Sequence, residues 1–578
     1  MNESQNINRE QDLEKYFFRA PAEDFKKIPG NPIAYWVSKN VVRTFDSRES
    51  LVSDIAKSEG KNVTTDNARF IRFFWEVSHL NIGAFDKKWL PCAMGGDFRK
   101  WYGNIIHTIN WSEQARDFYR KTPAGRIIRQ EFWGLPGVTW GKIGSLIASF
   151  RFLSIDEMYQ ETAVLQKNED DARFLLGLLN SKISSHFLQF LSPTINFQLE
   201  DIGAIPLLDI EKLKALTKKG VVDIFTIGKA DWDGYENSRD FTKLPLLDPD
   251  FRQLTLKASY QKLRAHWRGM TLEMQRLEQE NNLLFIDAYG LQDELRPEVP
   301  PNEITLTCNP HYRYGCEKSE EERETLLQAD TMRELVSYAV GCMFGRYSLN
   351  KPGLILANQG ETLADYLVQV PQPNFPADDD NVIPLLGGDW FPDDITLRFR
   401  QFLRVAFGDA HYEDNLAFIE QALNVKGKRN YGLRDYFLGE FYTDHVKRYK
   451  KRPIYWLFSS PKGTFNALVY LHRYRPDTVS VVLNYLRDFR KKLASRLDYL
   501  QQVAISPSAS QGDKTKADKE AETIKKQLLE LDDYERETLY PLATKQVELD
   551  LDDGVKVNYL KLGAALKKIV GLDAKGED

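Results

Sequence analysis

Cysteine is scarce in this chain, four residues in 578, at positions 92, 308, 316 and 342. They form no C-x-x-C pair and have no clustered histidine partner, which argues against a disulfide framework and against a structural zinc site. Long apolar runs are lacking as well. No stretch of about 18 apolar residues occurs and the first residues carry no hydrophobic segment, so neither membrane spanning nor secretion is indicated and a reduced, cytoplasmic protein is expected. There is no excess of positive charge: 78 Lys and Arg face 83 Asp and Glu, a net charge of −5. Any contact with nucleic acid must then come from local patches rather than the bulk field. The eight histidines are scattered, no P-D-x-n-E-x-K string is visible, and no metal site or Ser/His/acid hydrolase site is expected.

The chain is 42% apolar and 28% charged, ordinary soluble composition, and long enough for about three domains with substantial cores. Its most information-rich stretch is Gly60 to Val77, G-K-N-V-T-T-D-N-A-R-F-I-R-F-F-W-E-V. Thr65, Asp66 and Asn67 can each cap a first helical turn, and no proline follows, so a helix is expected over Ala68 to Val77. Phe70, Phe73, Phe74 and Val77 then make a buried face, with Arg69, Arg72 and Glu76 on another. The plain reading is an amphipathic core helix. A second segment, Lys87 to Asn104, interleaves Lys88, Arg99 and Lys100 with Trp89, Phe98, Trp101 and Tyr102 around Gly95-Gly96. That is the composition of a nucleic-acid surface, cations for phosphates and flat rings for bases or sugars, although a hairpin whose aromatics fill a core has it too.

From Gly134 the sequence alternates like strands, in G-V-T-W-G-K-I and A-S-F-R-F-L. Phe174 to Phe190 reads as one helix, followed by S-P-T-I-N-F-Q-L-E-D-I-G-A-I-P-L; Asn180, Lys182 and Asn196 are either DNA contacts or helix-end and turn residues. From Leu256 to Leu277 apolar residues recur alternately every four and three positions, a coiled-coil seam. The C-terminal stripes Val482 to Leu500 and Ile524 to Leu531 are its expected partners, with a flexible tip between them. Residues 300 to 475 read as α/β or mostly helical, with P-A-D-D-D-N and F-P-D-D as acidic surface turns. The run K-R-Y-K-K-R, Lys447 to Arg452, offers Lys447, Lys450 and Lys451 as a phosphate-facing strip or as a solvated face.

Two segments imitate the [D/N/S]-P-P-[Y/F/W] loop with which amino-methyltransferases hold a target base. Asn31 to Tyr35 has one residue too many and reads as a linker. Ile304 to Tyr312 reads as a strand leading into Asn309-Pro310-His311-Tyr312, with histidine at the third position instead of proline. No glycine-rich strand-to-helix turn of the kind that holds S-adenosylmethionine is found, so no catalytic and no cofactor-binding residue is assigned.

T-T-D-N-x-R-F-x-R-x-x-W-E-V after glycine resembles the T-G-D-N-x-R-F-x-R-x-W-x-E-V signature of the PglX family, the adenine-specific DNA methyltransferases of BREX phage-exclusion systems. The G-G-x-F-R-K-W-Y-G-N element, Arg333 to Leu354 and Tyr449 to Ser460 are also similar to PglX, and the L-N-S-K helix followed by D-I-x-x-I-P-L is similar to the close of recognition domains in Type I and Type IIG enzymes. One departure is Thr65, where the family has glycine; threonine disfavours positive φ, so a different turn is expected there. The resemblance runs from about residue 28 to the end and implies the target-recognition half of the family without its catalytic half, a truncated or split form. It further implies an α+β chain: a polar lead-in at 1–27, a mixed α/β DNA target-recognition domain at 28–250, a long spacer helix at 251–290, an α/β or helical domain at 291–475, and a helical hairpin with tail at 476–578. Double-stranded DNA would be met by Thr65, Asn67, Arg69, Arg72, Lys88, Arg99, Lys100, Asn180, Lys182, Asn196, Lys447, Lys450 and Lys451. S-adenosylmethionine and catalysis would belong to the family's catalytic half, and the protein partner would be a catalytic methyltransferase polypeptide or other BREX components. The alternatives are an intact enzyme with a cofactor site of unfamiliar form and a non-enzymatic BREX scaffold.

Overall fold

Alternating aromatic and β-branched residues set the architecture of the first part of the chain. The computed structural model describes residues 23, 26–32, 36–141, 147–160, 162–192 and 196–572; residues 1–22, 24 and 25 of the polar lead-in and the Ile33-Ala34-Tyr35 part of the first imitation loop lie outside them. Strands β1 (Ile71–Phe73), β2 (Trp89–Ala93), β3 (His107–Asn110), β4 (Gly137–Trp140), β5 (Phe150–Leu153), β6 (Met158–Tyr159) and β7 (Thr162–Leu165) build two sheets. One has the order β1-β3-β2-β6, with β2 and β6 parallel and the rest antiparallel; the other is an antiparallel β5-β4-β7. The expected strands in G-V-T-W and F-R-F-L are present and pair with each other, Val138 opposite Phe152.

The expected helix over Ala68 to Val77 is not formed. Asp66 does cap a helical turn, its Oδ1 accepting from the Arg69 N–H, but that turn ends at Phe70 and the chain enters β1. Ile71, Arg72 and Phe73 pair with Ile109, Thr108 and His107 of β3, so the period-2 reading of R-F-I-R-F prevails over the period-3.6 one. The turn before it also departs from expectation: Thr65 has φ of +65°, the left-handed conformation glycine would take.

Helices α1 (Glu113–Lys121), α2 (Glu169–Leu179), α3 (Lys182–Leu191), α4 (Ile210–Asp233) and α5 (Leu256–Tyr289) follow. The single helix expected over Phe174 to Phe190 is thus two, broken where Ser181 caps α3 through Ser184 N–H. The coiled-coil seam gives one long helix, α5, capped by Thr255 and ended by Gly290 at φ of +65°. Its main partner, however, is α4, with α3 and the helix Tyr412–Leu423 beside it, rather than the C-terminal helices. Those two, which follow α6 (Pro310–Tyr314), α7 (Glu320–Met343) and α8 (Tyr442–Arg448), are α9 (Thr478–Ile505) and α10 (Gln511–Tyr534), and they pack on each other as a hairpin. Both stripes were already self-complementary, so neither needed α5. The flexible tip between them is short, because Ser510 caps α10 immediately after it.

A third sheet, β8 (Val382–Pro384), β9 (Tyr455–Ser459) and β10 (Asn466–Tyr470), has the order β8-β10-β9 and is antiparallel. One face supports the hairpin through Trp456, Phe458 and Val469, the other joins the main core through Tyr455, Leu457 and Leu468. The acidic turns nearby are surface features in part: Asp379 and Asp380 are exposed, but Asp378 and Asp394 are buried, Asp394 capping the helix Ile395–Phe407 through the Thr396 N–H. Ile304–Cys308 is no strand either. Asn309 caps α6, accepting from His311 N–H and donating to the carbonyls of Pro301 and Ile304. With that side chain buried and fully engaged, the second imitation loop is a helix cap. No described helix is long and apolar enough to cross a membrane.

Candidate nucleic-acid interface

The opening signature folds into a clasp. Arg72, on β1, is 7% exposed and its guanidinium donates to four carbonyls: Ala68 and Ile71 at 2.7 Å, Asp553 at 3.0 Å and Asp552 at 3.2 Å. Glu76 accepts from Phe73 N–H and, across the chain, from Val555 N–H. Asp552 closes the set by accepting from the Trp89 indole at 2.7 Å and pairing with Lys88. Burial pushes the Glu76 carboxyl above its usual range, and Arg72 and Arg452 oppose the shift. The arginine and glutamate of the signature therefore hold the segment around Asp552 to Val555 rather than facing outward. Sequence separation hides this, because each partner lies more than four hundred positions away.

The aromatic part of the signature meets the second basic run. Trp75 donates its indole N–H to Arg452 O and stands edge-on to Tyr449 at 5.3 Å, while Phe73 stacks between Trp75 and His107, 4.6 Å from each. Lys447 and Arg448 close α8, where cations suit the carbonyl end of a helix. Lys450 and Lys451 then take left-handed backbones in succession, φ of +50° and +61°, a strained arrangement for two side chains that remain exposed. Their N–H groups bond back to Lys447 O and Val446 O, which fixes the turn.

A cleft of about 930 Å³ opens beside this turn, bounded by the Gly95-to-Phe98 loop, the end of α4, α6, α7 and α8. Trp232, Tyr312 and Tyr314 supply aromatic wall, and Lys447, Arg448 and Lys450 supply cations. Its carboxylates are engaged: Asp330 with Arg313, Arg333 and the Tyr314 hydroxyl, Glu334 with Arg313, and Asp444 with Arg333. Burial and the nearby Lys450 hold the lining residue His107 neutral, its pKa lowered to about 4.

The other expected DNA contacts divide by exposure. Arg99 and Lys100 are buried: Arg99 pairs with Asp231 at 2.9 Å and with Thr307, and Lys100 pairs with Glu278, which also accepts from the Trp101 indole. A basic face across Lys88, Arg99 and Lys100 is therefore not present, because each cation is matched by a distant carboxylate. Asn180 is also structural, pairing its amide with both backbone groups of Phe150, and Lys182 is bonded to Glu303 at 3.2 Å. Asn196 O accepts from the Ser192 hydroxyl. Thr65, Asn67 and Arg69 are exposed; Thr64 donates to Asn67 Oδ1, and Arg69 lies over the rings of Phe70 and Phe118. Lys447, Lys450 and Lys451 are exposed as well. Sequence reasoning does not single out Arg448 or Trp232, since a charge count cannot tell which member of a basic run turns inward. No group of His, Cys, Asp and Glu side chains among the described residues is arranged to hold a metal.

No family model matches the chain. It is 34% identical over 569 residues to the adenine-specific methyltransferase BrxX of Escherichia coli O9:H4 (strain HS), a match covering 95% of this chain and 46% of that protein. Against the adenine-specific methyltransferase PglX of Lacticaseibacillus casei (strain Zhang) the identity is 33% over 586 residues, 96% of this chain and 46% of the relative. The chain thus spans about half the length of the curated relatives it matches. Identity at that level along nearly every residue means that the chain is PglX-like, related over its length to adenine-specific methyltransferases.

Proposed function

We propose that the chain is the DNA sequence-recognition portion of a PglX-like N6-adenine DNA methyltransferase used in BREX phage defence, and that the S-adenosylmethionine-binding catalytic portion is a different part of the machinery. The observation that carries this reading is the match of 95% of the chain to 46% of a longer adenine-specific methyltransferase. The cation-rimmed cleft and the exposed Arg69, Lys447, Lys450 and Lys451 support it, since phosphates are met by such side chains before any base is read. The sheets of the described residues have two to four strands and pair antiparallel except at β2–β6, whereas cofactor crevices of doubly wound folds open at the ends of parallel strands.

Fluorescence anisotropy with labelled duplex DNA, together with calorimetric titration of S-adenosylmethionine, tests both halves of the proposal. Salt-dependent duplex binding without cofactor binding is expected. Saturable micromolar cofactor binding would replace this reading by an intact enzyme. A second reading, a scaffold that binds other BREX components and no DNA, is favoured by one observation, the consumption of Arg99 and Lys100 in buried ion pairs. Absence of duplex binding at low salt would select it.

A further inference from the structure

The cleft beside α8 is larger and more aromatic than a phosphate strip needs. Its volume, about 930 Å³, is that of a pocket for a small organic molecule. Trp232 from the end of α4, Tyr235 from the turn after it, and Tyr312 and Tyr314 from α6 converge on it. Arg99 lies over the Trp232 ring at 4.8 Å and the Tyr312 hydroxyl donates to Phe98 O, so two of these rings are held in place by polar contacts at their margins.

The charge pattern selects an anion. Asp330, Glu334 and Asp444 are each bonded to Arg313 or Arg333, and their charges are spent within the wall. Among the described residues the Arg448 guanidinium forms no hydrogen bond and no ion pair within 4 Å; it lines the cleft half-exposed, and against the lowering effect of burial the carboxylates of Glu236 and Glu334 lie near enough to raise its pKa. Its backbone carbonyl accepts from the Asn237 side-chain amide at 3.0 Å. Lys447 and Lys450 stand at the rim, Lys450 at 3.9 Å from Asp97. The Tyr235 hydroxyl is buried without a partner. A buried hydroxyl and a guanidinium without a hydrogen-bond partner are donors that the acceptors of a ligand can meet.

We infer that this cleft is a pocket for one unstacked nucleotide, its planar base against the Trp232, Tyr312 and Tyr314 rings and its phosphate on Arg448 and Lys447. Rings accept any base face and guanidinium or ammonium groups accept the phosphate, so the chemistry is that of single nucleotides rather than of groove reading. The nucleotide can come from a DNA strand, extruded or unpaired, or from a free mononucleotide. The first source rests on the DNA-recognition reading above, and the second does not.

Anisotropy on the full chain distinguishes them. A fully paired duplex is compared with the same duplex carrying one unpaired nucleotide, which spares the protein the cost of unpairing. Wild type is expected to bind the second DNA at least about tenfold more tightly, a ratio worth about 1.4 kcal/mol, and Arg448→Met and the exposed-site variant Lys447→Glu are expected to bring the ratio toward one. Equal binding of the two DNAs by wild type removes the DNA-strand source while leaving duplex recognition intact. If neither DNA binds, the recognition reading fails separately, and titration with deoxyadenosine monophosphate decides the pocket. Saturable binding that Lys447→Glu weakens about tenfold supports a free-nucleotide pocket. No binding of the monophosphate together with equal binding of the DNAs, or of neither, overturns the proposal, as does a preference that survives in both variants.

Discussion

The indole N–H of Trp75 donates to the carbonyl oxygen of Arg452 at 3.1 Å, across 377 positions of sequence. That bond places the tryptophan of the signature directly under the turn that carries Lys450 and Lys451, so the signature and the Lys447–Arg452 basic run form one structural unit. The signature's Arg72 and Glu76 extend the unit to Asp552, Asp553 and Val555. Its work is to join three distant parts of the chain and to set the position of an exposed basic turn.

Arg69 and Arg72, three residues apart, should therefore behave oppositely. Arg72→Ala leaves four carbonyls without their charged donor and is expected to cost about 3 kcal/mol of folding stability. Arg69 is exposed over two rings, and Arg69→Ala should change stability by no more than about 0.5 kcal/mol while weakening duplex binding by about 1 kcal/mol. Urea denaturation and anisotropy on the two single variants check this. Equal destabilisation would mean that the clasp contributes nothing specific.

Reversing the charge of Lys447, Lys450 and Lys451 to Glu should weaken binding to fully paired duplexes of any sequence by a similar factor and flatten the dependence of log affinity on log salt, because phosphate contacts position without specifying. All three side chains are exposed, so the fold should be retained. Unchanged affinity and slope across a salt series would make the run a solubility face or a protein-contact surface.

How much of this was legible beforehand differs by element. The strands at Gly137–Trp140 and Phe150–Leu153 and the length of α5 were, because alternation and a seven-residue repeat are local signals. The identity of α5's partner was not, since three apolar stripes could each have satisfied the others. Arg99 and Lys100 were visible as charges, but their carboxylates lie 132 and 178 positions away and only folding brings them together. In the opening stretch five residues satisfied helix and strand periodicities at once, and pairing with His107–Asn110 decided between them.

Acid should weaken the fold through His107. Burial and Lys450 lower its pKa to about 4, whereas an unfolded histidine protonates near 6.5, about two and a half units higher. Between those values the unfolded chain binds more protons, so this contribution is fully present above pH of about 6.5 and is lost as pH falls toward 4. His472, lowered to about 3 by burial and Arg346, acts in the same sense. Glu157, raised to about 7 by burial, acts oppositely, favouring the fold at low pH and losing that favour as pH rises through 7. His107→Gln should therefore remove up to one proton from the slope between pH 4.5 and 6, about 1.4 kcal/mol per pH unit. Denaturant midpoints across that window measure it, and an unchanged slope would mean that His107 titrates normally in the fold.

Thr65 offers a test of strain. A β-branched residue at φ of +65° is held there at a cost of roughly 1–2 kcal/mol, against which its side chain gains one part-buried hydrogen bond to Thr64 O. Glycine removes the strain but makes the unfolded chain freer by about 0.4–1 kcal/mol, so Thr65→Gly should stabilise only slightly. Asparagine tolerates the left-handed region without that loss, so Thr65→Asn should stabilise by about 1 kcal/mol, and Thr65→Val, which keeps the branch and lacks the hydroxyl, should destabilise. The order Asn, Gly, Thr, Val in melting temperature is the expected result. If valine matches threonine and neither glycine nor asparagine gains, the turn before β1 carries no strain, and the glycine that the family signature has at this position is there for some other reason than its backbone freedom.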